Sequence, residues 1–150
     1  MALTKIISGG QTGADEGGLL AGKALGLATG GMMPQGWRTE LRPRPEYAQM
    51  YGMVESNSPD YKPRTLVNIR QSNGTVVFGD VTSAGSRLTV ATCKAMGKPY
   101  MVNPTPAGLR QFIELNKIQT LNVAGNRESK NIGIRRLVYD TIMGAYPNGR

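Results

Sequence analysis

The stretch Ile6-Ile7-Ser8-Gly9-Gly10-Gln11-Thr12-Gly13-Ala14-Asp15-Glu16-Gly17-Gly18 constrains the fold more than any other part of the chain. Two β-branched residues run into glycines and short polar residues, and an acid then opens a helical segment. A strand, a tight turn and a helix in that order begin a parallel α/β unit. The glycines have two physical explanations. They permit the backbone of a tight turn, or they let backbone amides come close to a phosphate at a helix N-terminus.

The same alternation continues along the chain. Apolar runs at 3–8, 75–78, 99–103 and 120–123, with a weaker one at 27–30, read as strands. "TVVF" is continuously apolar, as expected of a strand buried on both faces. Ile134, Leu137, Val138, Thr141 and Ile142 share one face of a last helix, and Leu109, Phe112 and Ile113 form a shorter stripe after Asn103-Pro104-Thr105-Pro106. Pro63 suits the first turn of a helix running to Gln71, and Gly97 terminates one beginning at Ser83 or Gly85. The expected architecture is a Rossmann-like α/β fold: a parallel sheet of about five strands with helices on both faces, in a single domain over 1–150. Residues 31–62 do not fit the alternation. They hold four prolines, the only tryptophan (Trp37) and little periodicity, so a folded lid or an oligomer contact is expected there.

Composition removes several chemistries. The chain has no histidine and one cysteine, Cys93, so histidine-based catalysis, an internal disulfide and thiolate metal clusters are excluded, and no protein-ligated metal is expected. No apolar run is long enough to span a bilayer and no leader pattern opens the chain, so a cytoplasmic protein without membrane contact is expected. A net charge of +8 calls for an anionic partner. The basic residues are scattered rather than clustered and are not interleaved with aromatics, which favours a small phosphorylated ligand over nucleic acid.

Three strand-end loops suit an anion: Gly9-Gly10-Gln11-Thr12-Gly13 with Asp15, Gly79-Asp80-Val81-Thr82-Ser83-Ala84-Gly85-Ser86, and Ala124-Gly125-Asn126-Arg127-Glu128-Ser129. Each alone has a plain structural account, a tight turn or a helix cap. Three expected on one rim favour a ligand site. "GGQTG" is neither a Walker A motif nor a complete dinucleotide fingerprint. Met32 and Met33 read as packing residues, and Cys93 as a buried helix residue rather than a nucleophile. Trp37 suits a core anchor, an interface anchor or a ring-stacking residue.

"SGGQTGAD", "YGMVESNSPDYKPRTLVNI", "SNGTVVFGDVTSAGSRLT" and "LNVAGNRES" occur in the order found in the circularly permuted SLOG family, and the chain resembles that family from Ile6 to Ile134. The family includes molybdenum cofactor carrier proteins and belongs to the wider lysine-decarboxylase-like (LOG) superfamily. The resemblance implies a ligand cleft lined by Gly9 to Gly13, with Asp15 orienting that loop. It implies a phosphate loop at Thr82 to Ser86 and basic ligand or subunit contacts at Arg38 and Arg64. It also implies a homo-oligomer, dimer or tetramer. Two departures stand out. Asn126 replaces the family's usual proline, which would loosen its loop and change ligand preference. Thr89 stands where the phosphoribohydrolase branch carries a glutamate, so N-glycosidic cleavage lacks its expected acid–base group unless Glu128 or Asp80 substitutes. The resulting expectation is a non-catalytic binding protein for a phosphorylated heterocycle, with molybdenum cofactor as its leading ligand. Capture of a nucleotide-derived signal and nucleotide phosphoribohydrolase activity are the alternatives.

Overall fold

A computed structural model describes residues 3–149. Five parallel strands form the main sheet: β1 (Lys5–Ser8), β2 (Ala28–Gly30), β5 (Gly74–Phe78), β6 (Tyr100–Val102) and β7 (Thr120–Gly125). Their spatial order is β2-β1-β7-β5-β6, with Ile6 beside Leu121 and Val76 beside Val123. The last strand in sequence therefore lies in the middle of the sheet.

Side-chain alternation divides this sheet into two unlike faces. Ile6, Val76, Phe78, Leu121 and Val123 meet α1 (Ala14–Ala24), α5 (Pro106–Leu115) and α6 (Ile134–Ala145) in the main apolar core. Val138 and Ile142 from the predicted stripe of α6 are buried there, as are Leu109 and Ile113 of α5. Exposed Leu137, by contrast, lies off the buried face. The opposite face carries Thr75, Val77 and Asn122 and is covered by α3 (Tyr61–Arg70) and α4 (Ala84–Met96), whose buried residues include Ile69, Thr89 and Cys93. It is the more polar face.

Helix ends follow local chemistry. Ser83 caps α4 by accepting from the Ser86 amide (3.4 Å), and Gly97 ends it with φ 66°. Thr105 caps α5 by accepting from the Gly108 amide, with Pro106 in the first turn. Pro63 does lie in the first turn of α3, although that helix starts earlier than the proline suggested, at Tyr61 after the extended Asp60.

The irregular segment is folded. It contains β3 (Met32–Met33) paired in parallel with β4 (Val54–Glu55), and the short helix α2 (Tyr47–Tyr51). Elements this short leave no periodic signal. What holds them is a second apolar cluster in which Met33, Tyr47, Tyr51 and Met53 surround Leu19 of α1, with half-buried Trp37 packed against it. Met33 and Trp37 are packing residues of this cluster. Cys93 is fully buried, and burial pushes its thiol up, away from the nucleophilic thiolate.

Candidate functional site

The three glycine-containing loops meet at the carboxyl end of the sheet. The Ala14 amide donates to Asn126 O (3.1 Å) and the Glu128 amide to Thr12 Oγ1 (3.1 Å), joining the first loop to the third. Asn126 joins the third to the second. Its Oδ1 accepts from the Asp80 amide (2.6 Å) and its Nδ2 donates to Asp80 O (3.2 Å) and Ser83 Oγ (3.3 Å). Asn126 therefore tightens the loop that its departure from proline was expected to loosen. Its side chain replaces the missing ring constraint with cross-loop hydrogen bonds.

Beside these loops lies a cleft of about 750 Å³, above β7 and between α3 and α4. Crevices of this kind form where strands lead to helices on opposite faces: β1 is followed by α1, and β5 by α4. The floor is Asn122 to Asn126, one wall is Tyr61, Arg64, Thr65 and Asn68, and the other is Asp80 with Ser83 to Ser86, Leu88 and Thr89. Gly9, Gln11 and Asp15 close one side, and Arg127 and Lys130 stand at the rim.

The first loop uses its glycines internally. A Cβ on Gly9 would fall 1.3 Å from Arg64 Nη1, so the guanidinium lies directly on that residue. Gly10, with φ 74°, is packed under Met33, and a Cβ on Gly13 would strike the backbone of Asn126 and Glu128. Gly85 differs. It sits in the first turn of α4, and a Cβ there would meet nothing within 4 Å.

Arg64 is only 13% exposed along its side chain and reaches Asp15 Oδ2 at 3.4 Å. Asp15 also accepts from the Gln11 amide (3.1 Å), which holds the first loop in place. Burial pushes the Asp15 carboxyl above the usual carboxylate range, while Arg64 and the Gln11 and Gly9 amides pull it down. Tyr61 has two cations near its ring, with the Arg64 and Arg127 guanidinium carbons 5.2 and 5.8 Å from its centre. Lys130 adds a third positive charge at the mouth. The helix dipole of α4 adds to this positive field.

Among the described residues, four buried side-chain atoms have no hydrogen-bond partner, and two belong to this cleft: Arg64 Nε and Ser86 Oγ. Ser86 is 4% exposed. A buried hydroxyl without a partner is costly unless a ligand supplies one.

Several sequence-selected residues fall outside the cleft lining. Arg38 is exposed and donates to Pro59 O (3.4 Å). Gly10, Thr12 and Gly13 lie behind the cleft, and Thr82 hydrogen-bonds Asp80 Oδ1 through both its amide (2.9 Å) and its hydroxyl (2.6 Å). Those bonds hold the Asp80 carboxyl below the usual range. Glu128 caps α6 by accepting from the Gly133 (2.6 Å) and Arg135 (3.0 Å) amides. Ser129 bonds Glu40. Thr89 does line the cleft, and its hydroxyl donates to Gly85 O at 3.0 Å. Among the described residues no cluster of three or more histidine, cysteine or acidic side chains is placed to hold a metal, and no helix is long and apolar enough to cross a membrane.

Tyr61, Thr65, Asn68, Leu88, Asn122 and Lys130 complete the lining without having been singled out from sequence. Glu40 was missed as well. Its carboxylate accepts from the Thr12 hydroxyl and from the Ser129 hydroxyl and amide, and its amide donates to Gln11 Oε1 (2.9 Å). It thereby fastens the 31–62 segment to two of the three loops. Burial raises the Glu40 carboxyl, but the Ser129 and Thr12 hydrogen bonds outweigh it and leave it below the usual range.

A parallel sheet covered on both faces, with a cleft at its carboxyl end rimmed by Arg64, Arg127 and Lys130, defines a Rossmann-like α/β fold. The profile of the circularly permutated YpsA SLOG family matches residues 6–145, and the chain belongs to that family. It is also similar to the crystal structure of a "putative molybdenum carrier protein" from Syntrophus aciditrophicus SB. That similarity has a TM-score of 0.87 and 31% sequence identity, and covers 97% of this chain and 96% of that one. No curated protein matches.

Proposed function

We propose that this protein binds a phosphorylated heterocycle without converting it, with the phosphate at the N-terminus of α4 and molybdenum cofactor as the cargo to be carried or stored. The observation that carries this reading is the unpartnered Ser86 hydroxyl beside Gly85, where the helix amides open onto a cleft with space for a ligand. Ala84 and Gly85 amides, the Ser86 hydroxyl and the α4 dipole would hold the phosphate. Arg64, Arg127 and Lys130 would neutralise the remainder of the ligand's charge. The similarity to a carrier-named protein over nearly the whole chain favours molybdenum cofactor among phosphorylated heterocycles.

The acids support binding over turnover. The two that line the cleft are Asp15, paired with Arg64, and Asp80, tied to Thr82, while Glu128 is engaged in a helix cap. None stands as a free general acid beside the proposed phosphate seat. Cytoplasmic location and assembly into a homo-oligomer, in part through the 31–62 segment, belong to the same proposal.

Native mass spectrometry of the gently purified protein, followed by denaturation and identification of released small molecules, tests the cargo. A pterin phosphate or its oxidised fluorescent derivative is expected. A nucleotide in its place would reassign the cargo to a nucleotide-derived signal. Gly85→Asp tests the phosphate seat: its side chain has room, so the fold should persist, but a negative charge then occupies the anion's place. Unchanged ligand affinity in that variant would remove the seat from α4.

A further inference from the structure

Asn122 is a buried amide in the middle of β7, 3% exposed, flanked by fully buried Leu121 and Val123. The hydrogen bond made by its side chain runs from Nδ2 to Thr75 Oγ1 at 3.3 Å. Its Oδ1 accepts no hydrogen bond from the described residues, and Asn122 belongs to the floor of the cleft. The neighbouring amide in the wall, Asn68, is the opposite case. It accepts from the Met32 amide (2.8 Å) and donates to Ser8 O (3.3 Å) and Met32 O (3.1 Å), so it is committed to the protein. Thr65 and Thr89 are likewise committed, each donating to a carbonyl one turn earlier in its own helix.

The floor thus carries one uncommitted acceptor. A leucine or valine would suit a central strand with less desolvation cost than an amide. Resting on the phosphate seat proposed above, we infer that Asn122 is the residue that reads the ring: with the phosphate on α4, Oδ1 accepts from an N–H on the edge of the heterocycle. This places the ring over β7 rather than against Gly9 to Thr12, where Arg64 and Met33 already occupy the space beside the glycines. The ligand class is a phosphorylated heterocycle with an N–H donor edge, such as an aminopyrimidinone ring system, and a phosphorylated ring without that donor is selected against.

Three probes separate ring from phosphate. Guanosine 5′-monophosphate offers N–H donors, purine riboside 5′-monophosphate keeps the phosphate and ring system without them, and ribose 5-phosphate has no ring. Calorimetric titration of the wild-type protein should show the guanine nucleotide binding roughly three- to tenfold tighter than the purine riboside nucleotide, the range for one neutral hydrogen bond. Asn122→Leu, which keeps the branched four-atom shape of the side chain, should erase that difference and leave ribose 5-phosphate affinity within about twofold, less than the roughly threefold lower bound expected for the hydrogen bond. Asn122→Ser provides the same comparison if the leucine variant does not fold, and the wild-type comparison needs no variant. Equal wild-type affinities for the two nucleotides would overturn the inference and leave the phosphate seat standing. So would a uniform loss of all three probes in a folded Asn122 variant, because that is a structural effect. A folded wild-type protein that binds none of the three would overturn the phosphate seat and the ring reading together.

Discussion

Gly9→Ala isolates what the first glycine loop is for. Its added methyl would fall 1.3 Å from Arg64 Nη1, 2.4 Å from Arg64 Cζ and 3.0 Å from Asp15 Oδ2. Arg64 is the flexible partner, so its guanidinium must leave, and Asp15, 5% exposed, then loses its cation. Removing one member of a buried ion pair costs about 3–5 kcal/mol. The 3.4 Å separation and the amide bonds that Asp15 retains place this case at the low end, about 3 kcal/mol. For a chain of this size that corresponds to a fall of roughly 6–12 °C in Tm. Thermal and urea unfolding of wild type, Gly9→Ala, Arg64→Ala and the double variant form a cycle. Arg64→Ala should cost a similar amount, and adding Gly9→Ala to it should cost little more, because the obstructed side chain is gone. Additive losses would refute the argument, since the glycine would then be required for its backbone and not for the arginine that lies on it.

Four further outcomes follow from the same geometry. Ser86→Ala breaks no hydrogen bond made by the hydroxyl, so stability should stay within about 0.5 kcal/mol. Affinity for a phosphorylated ligand should fall about tenfold or more, as for a bond to a charged group, in isothermal titration. Gly85→Ala meets nothing within 4 Å and should leave the fold unchanged or stabilise it by up to about 1 kcal/mol in urea unfolding. Asn126→Ala removes the bonds linking the second and third loops and should cost about 1–3 kcal/mol, with faster hydrogen exchange at the Asp80 amide. Glu40 supplies the pH dependence. Its folded carboxyl lies below its ordinary value, so its contribution is complete above about pH 4.5 and is lost as pH falls through the folded value. The stability difference between wild type and Glu40→Gln should therefore shrink in acid, and a difference that grew there would contradict the assignment.

The main sheet was readable because each strand has a local apolar signal and the helix ends carry their own punctuation at Ser83, Gly97 and Pro106. Strand order was not, since nothing local in "TLNV" says that it will lie between β1 and β5. The candidate site was legible where loop and helix chemistry coincide, at Ser83 to Ser86. It was less legible at Gly9 to Gly13, because a glycine packed under a guanidinium and one facing an open cleft look alike in one dimension. Glu40, Tyr61 and Asn122 were illegible for a related reason. Each acquires its role from partners far away in sequence, such as Ser129 for Glu40 and Arg127 for Tyr61.

The central strand has a consequence of its own. On one face β7 is covered by helices, and on the other its carboxyl half faces open space between α3 and α4. On the proposed function, a ligand seated there would complete the layering of the sheet, standing in for a helix that the described residues do not supply. Loading would then resemble a last step of folding. It should draw α3 and α4 together across a shared guest and slow the opening of both, so that the loaded and empty forms differ most in how readily that half of the molecule comes apart.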